Sequence, residues 1–176
     1  MRKGRLLDAV LLMTGCGVTA TLAQDVHYSP EERLDAIDAA LIATAKRSID
    51  FASYALTDLV VLDALNEAER RGVAVRIVLD PRERHDFVKL GDLSDNIRIK
   101  RGGPFMHLKA YEFDGEELRT GSANFSTSGE NAQDNDLIVI REPGAATKFD
   151  VHFERMWHAA QPMDEFEPAI KALEPK

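Results

Sequence analysis

The sequence predicts an α/β domain, a mixed, mostly parallel β-sheet flanked by helices on both faces. Three observations carry that expectation. Between residues 26 and 79, strand-like runs alternate with two stretches of helical period, an order that calls for parallel pairing through right-handed crossovers. Residues 73–79 are β-branched and nearly all apolar, as a strand covered on both faces requires. The Asp114-Gly115 pair is a strong hairpin signal and brings antiparallel pairing into the same sheet.

The elements follow in order. Residues 26–28 read as a short strand. Ser29 then caps a helix, with Pro30 in its first turn and Glu32 closing a capping box. Leu34, Ile37, Leu41 and Ala45 share one face of that helix. Ile49, Phe51 and Ser53 alternate along the second strand. Thr57 caps a helix over residues 58–71, which Gly72 stops, and Asp80-Pro81 ends the third strand. A short helix near residues 87–93 and a strand at 97–100 are expected next. The loop through Gly102-Gly103-Pro104 leads into a strand at 106–113, its hairpin partner at 117–120, a polar loop over 126–135 and a strand at 137–140. Phe149, Phe153, Met156 and Trp157 form the apolar stripe of a last helix, a spacing that reads as core.

At 176 residues, 44% hydrophobic and 30% charged, the chain is of a size and composition for one globular domain, without internal repeats. Residues 1–23 have the basic start, apolar run and small residues of a targeting segment with cleavage after Ala23. Met13-Thr14-Gly15-Cys16 offers a lipoprotein box as the alternative. Cys16 is the sole cysteine, so cleavage after Ala23 leaves no disulfide and no thiolate metal site. The domain is expected over 24–160 and a polar, fraying tail over 161–176, in a periplasmic or secreted protein. The net charge is −8, and nearer −10 without residues 1–23. That disfavours long-range steering of nucleic acid, although Arg82, Arg84 and Lys89 in one loop, and Lys100 and Arg101 in another, can form a local basic groove.

The chemistry concentrates in residues 106–125. On a strand, His107 and Lys109 point the same way, with Tyr111 below them. The turn at Asp114-Gly115 brings Gly121, Ser122 and Asn124 back beside His107. An ammonium, two neutral polar side chains and a glycine that admits close approach suit a phosphate. His107 is the nucleophile or proton carrier of the group. Asp114, at the turn, is expected to support the fold or orient its neighbours.

The spacing H-x-K-x4-D-x6-G-S-x-N resembles the signature of the phospholipase D superfamily at every fixed position. VHYSP, AKRSIDFASYAL and RRGVAVRIVLD resemble the first three strands of its small, single-motif members, the secreted bacterial endonucleases, so the likeness runs over roughly residues 25–160. The resemblance implies two-step phosphodiester hydrolysis through a phosphohistidine on His107, with a catalytic set of His107, Lys109, Asp114, Asn124 and Asp134. Lys109, Ser122, Asn124 and Gly121 would hold the phosphate. Asp134 stands where the relatives carry a glutamate that fixes the histidine ring, and Glu130 and Asp136 are its rivals. Two histidines are needed and the motif occurs once, so a homodimer with a shared active site is implied; His27, His85, His152 and His158 have no lysine two residues on. No metal and no cofactor are expected. The first substrate reading is nucleic acid, cut with low sequence specificity. The alternatives are a phospholipase D converting phosphatidylcholine-type lipids to phosphatidic acid, and a non-catalytic dimer that binds phosphate or nucleic acid.

Overall fold

A computed structural model describes residues 24–83, 85 and 90–163. The expected leader, the Cys16 box, Arg84, Lys89 and residues 164–176 lie outside the described residues.

One sheet of eight strands runs through the molecule in the order β1-β7-β6-β5-β2-β3-β4-β8. The strands are β1 (Gln24–Ser29), β2 (Ser48–Ser53), β3 (Ala74–Leu79), β4 (Ile97–Ile99), β5 (Lys109–Phe113), β6 (Glu117–Gly121), β7 (Asn135–Ile140) and β8 (Gln161–Pro162). The sheet is mixed, as expected, but not mostly parallel. Only β2–β3 and β3–β4 run parallel; the other five ladders are antiparallel. Two strands account for the difference: β1 leaves β2 and pairs antiparallel with β7 at the far edge, and β5 takes the place beside β2 and runs antiparallel to it.

Helices cover both faces. On one, α1 (Leu34–Thr44) and α2 (Leu59–Arg70) pack over Ile49, Phe51, Ile77, Tyr111 and Phe113. On the other, α4 (Pro143–Ala159) sets Phe149 and Phe153 against Ala52, Val78 and Ala110. The alternation along β2 explains the division, since odd and even residues face opposite layers. The Phe149, Phe153, Met156, Trp157 stripe is core, as its spacing predicts.

Several boundaries move. The cap expected at Ser29 does not form. Helix α1 starts at Leu34, the Ser29 hydroxyl donates to the Gln133 carbonyl, and Glu32 accepts from the Tyr28 N–H. Asp58, not Thr57, caps α2, accepting from the N–H groups of Val60 and Val61. The polar loop contains a single helical turn, α3 (Thr127–Asn131), capped by Ser126. The expected tail begins with structure, because Gln161 and Pro162 pair with β4.

Candidate active site

The site lies where the carboxyl ends of β2 and β3 meet the start of β5. β5 runs antiparallel to β2, with Ser53 opposite Lys109. The chain entering β5 therefore crosses the rim formed by Tyr54 and Asp80, the residues just past the ends of β2 and β3. His107 precedes the strand rather than lying within it, and is exposed. It is placed by two anchors. The Tyr54 N–H donates to the Leu108 carbonyl at 2.9 Å, and the Met106 N–H donates to the fully buried Asp80 carboxylate at 2.8 Å.

Lys109 Nζ stands 2.9 Å from Nδ1 and 3.0 Å from Nε2 of His107, and 3.0 Å from its carbonyl oxygen. The Tyr54 ring packs against the imidazole at 4.4 Å between centroids and lies 5.1 Å from the ammonium. Burial lowers the Lys109 pKa, against a smaller upward pull from the exposed Glu83 carboxylate. The ammonium's hydrogen-bond partners are thus the His107 ring and carbonyl, with no carboxylate bound to it among the described residues, which leaves its charge free to meet an anion. The half-buried Asn124 has a buried amide oxygen with no hydrogen-bond partner; the amide N–H groups of the same side chain are the ones able to donate to an anion.

Other members of the expected set are committed elsewhere. Asp114 sits at the opposite end of β5 and accepts from the backbone N–H groups of Lys46, Arg47 and Ser48. It and Gly115 take the positive φ values, 58° and 71°, of a type I′ turn. These bonds hold the hairpin. The Ser122 hydroxyl is engaged with the Asp136 carboxylate and accepts from the Asp136 N–H. In this structure Ser122 and Asp136 are therefore partners of each other. At Gly121 a Cβ would collide with the Asp136 carbonyl, so the β6–β7 contact needs a glycine there. Asp134 is exposed beside Tyr28, Glu31 and Glu32, in a depression of about 620 Å³. No hydrogen bond joins it to His107 among the described residues.

Glu130, the remaining rival, is buried in a cluster that sequence reasoning missed. Arg119 donates to Asp38 from Nε at 2.8 Å and Nη2 at 2.7 Å, to Glu130 at 3.2 Å, and from Nη1 to the Lys109 carbonyl at 2.8 Å. The Tyr111 hydroxyl donates to Asp38 at 2.8 Å. All three charged side chains are fully buried. Burial first, then the neighbouring Asp38 carboxylate, pushes Glu130 up to about 9, so it holds a proton at neutral pH. The backbone of Lys109 rests on this base. Asp38 was detectable as a charge on the apolar face of α1. Tyr54 was detectable as the residue just past the end of β2, where ligands gather in such sheets.

Of the other histidines, His85 points inward. Its Nε2 lies 2.7 Å from the Asp80 carbonyl and burial lowers its pKa. Among the described residues, Asp50, Glu112 and Asp150 bring three carboxylates within 4.8 Å of one another, a set able to hold a cation. Arg76 already binds Asp50 there at 2.7 and 2.6 Å.

A rim at the carboxyl ends of parallel strands, holding the H-x-K pair with its motif aspartate in the hairpin, defines a phospholipase D-like domain, and the comparisons agree. The profile described as "Cardiolipin synthase, PLD-like domain" matches residues 39–157. The chain belongs to the phospholipase D superfamily, among its small single-domain members. It is 26% identical over 120 residues to a mitochondrial cardiolipin hydrolase of Chlamydomonas reinhardtii, covering 66% of this chain and 54% of that protein. It is 30% identical over 112 residues to a phospholipase D of Rickettsia bellii, covering 61% and 56%. The chain thus spans little more than half the length of these relatives. Nuc of Salmonella typhimurium, a phospholipase D family member, superposes with a TM-score of 0.73 at 29% identity, over 78% of this chain and 95% of that one. NucT from Helicobacter pylori gives 0.69 at 21% identity, over 79% and 98%, a likeness of fold. No helix among the described residues is long and apolar enough to cross a membrane.

Proposed function

We propose that this protein hydrolyses phosphodiester bonds through a phosphohistidine on His107, as a homodimer whose two His107 side chains share one site, and that nucleic acid is its substrate. The observation that carries this is the exposed imidazole held between the Lys109 ammonium and the Tyr54 ring. The imidazole bonds to phosphorus, the bond to the leaving oxygen breaks, and that oxygen takes a proton from the second His107, protonated for the purpose. Water then attacks phosphorus and gives its proton to that second imidazole, and the nitrogen–phosphorus bond breaks. The second ring contributes about 10²–10⁴-fold as acid and then base. Lys109 and Asn124 bind the phosphoryl oxygens as charge builds on them. The inward-facing His85 supports assigning the second ring to a partner protomer. A twofold contact brings like residues together without further machinery.

The substrate assignment is supported by the resemblance of residues 25–160 to the small, single-motif secreted endonucleases; Nuc, a phospholipase D family member, is matched over 95% of its length, against little more than half for the relatives named for lipids. Those relatives keep phosphatidylcholine-type lipids as the second reading. Residues 1–23 are proposed to export the protein to the periplasm or beyond. The experiment incubates the protein with plasmid DNA, RNA or phosphatidylcholine in excess chelator. Nicked or degraded nucleic acid with the lipid intact is the expected result. Phosphatidic acid release alone would move the assignment to lipid, and cleavage that stops with chelator would end the metal-free scheme. Light scattering is expected to give a dimer, and an active monomer would end the shared-site scheme.

A further inference from the structure

We infer that Phe105 forms a stacking subsite for one nucleobase of a bound strand, next to the phosphate at His107. The inference rests on the reading of the His107 site as one that acts on nucleic acid. Phe105 is 63% exposed two residues before His107, and an exposed ring alone would mean little. Here the ring is built into place. Lys100 Nζ donates to the carbonyls of Gly102 and Pro104, both at 2.6 Å, and closes the loop that carries it. Arg82 donates to the Gly103 carbonyl at 3.0 Å and to the buried Asp80 carboxylate, which also takes the Met106 N–H. The chain is thus tied on both sides of Phe105.

The same Arg82 lays its guanidinium 4.3 Å from the centre of the Phe105 ring. A cation occupies one face, and exposure leaves room for a flat partner on the ring. Tyr54 connects this ring to the reaction centre. Its own ring meets Phe105 edge-on at 6.4 Å and the His107 imidazole at 4.4 Å. A strand with its phosphate at His107 and Lys109 therefore finds an aromatic step, backed by positive charge, immediately beside it. That is the combination used to hold single strands, where each base stacks on a ring and the backbone follows cations. An acyl chain would instead want several apolar side chains together. The partners of the Phe105 ring are the Arg82 guanidinium and the edge of Tyr54, and the stretch of chain before it carries Arg101, Gly102 and Gly103.

The test uses the full chain carrying His107→Asn, which binds without turnover, and a single-stranded oligonucleotide with 2-aminopurine moved one position at a time past the cleavage point. Stacking quenches its fluorescence. Quenching at one position is expected, lost with Phe105→Ala and kept with Phe105→Trp. In the active protein, replacing that base by an abasic site should lower kcat/KM about tenfold, while Phe105→Ala should cut both substrates alike. Quenching that survives Phe105→Ala overturns the subsite. So does a Phe105→Ala protein that scatters as a monomer, which would make the ring a contact between protomers. So does loss of binding to phosphatidylcholine vesicles with quenching intact, which would make it a lipid contact. If the quenching behaves as expected but no diester is ever cut, the subsite stands and the hydrolase reading fails.

Discussion

The two ends of β5 carry the two halves of one motif and are built in opposite ways. At the Lys109 end the imidazole is exposed, and among the described residues the ammonium bonds to nothing but the His107 ring and carbonyl. At the Asp114 end one carboxylate takes three backbone N–H groups, and the Arg47 guanidinium closes on the turn's carbonyl. A polar group with filled bonds holds the chain together; one with open bonds is available to a ligand. The four residues between lysine and aspartate are then a structural spacing, the run of strand that carries a reactive rim away from the turn that fixes it. Each end also has a buried acid cluster behind it. That behind Lys109 is balanced by Arg119, and that beside Asp114 is answered in part by the half-exposed Arg76.

The sharpest division between the ends comes from His107→Asn. Turnover on any phosphodiester should fall by more than about 10³-fold, as it does when an attacking group is removed, with the melting temperature unchanged. Activity that survives means the nucleophile lies elsewhere. Next in size is Arg119→Met, which leaves the Asp38 carboxylate buried without its cation. Breaking a buried pair from one side should lower stability by about 3–5 kcal/mol, read as the urea midpoint. An unmoved midpoint would show that the base beneath Lys109 supports nothing.

Asp114→Ala tests the other end. Three hydrogen bonds to a charged acceptor are lost, at about 2–3 kcal/mol after the chain relaxes, while the folded protein should turn over within about threefold of wild type. Burial raises the Asp114 pKa, but the three backbone donors outweigh it and hold the carboxyl below its ordinary value. Stability from a lowered carboxyl is present above the unfolded pKa and lost as pH falls through the folded one. The deficit of Asp114→Ala should therefore shrink on acidification below about pH 4. A variant that melts like wild type but has lost turnover would place Asp114 in the chemistry after all.

The site was legible because its signal is local. His107, Lys109 and Asn124 stand within eighteen residues, and a hairpin joins them by turn chemistry visible in Asp114-Gly115. The hidden parts are joined across the sheet. Asp38, Arg119 and Glu130 come from α1, β6 and α3, and a buried charge in each is indistinguishable in sequence from a solvated one until the partners are known. The contact of Ser122 with Asp136 was hidden for the same reason, since Asp136 lies on the next strand. The parallel bias of the sheet was overestimated because a strand–helix–strand order at the start implied that β1 would join β2. Nothing in residues 24–29 announces the antiparallel partner, β7, more than a hundred residues away.

The smallest expected effect concerns the acid cluster beside the hairpin. Burial, with Asp150, Asp50 and Asp114 nearby, raises Glu112 to about 7, against a downward pull from the Gly115 N–H. A carboxyl raised in the folded state favours folding while it keeps its proton. That contribution is complete below about pH 4.5, declines from there to about pH 7 as the unfolded chain ionises first, and is absent above. Wild type should lose up to about 3 kcal/mol across this interval from Glu112 alone. Glu112→Gln keeps an acceptor for the Gly115 N–H but does not ionise among the other carboxylates. It should match wild type near pH 5 and exceed it by about 2 kcal/mol at pH 8, measured as paired urea titrations at the two pH values. Parallel curves for the two proteins would show that Arg76 and solvent already neutralise this end, which would then be as fully satisfied as the Asp114 turn beside it.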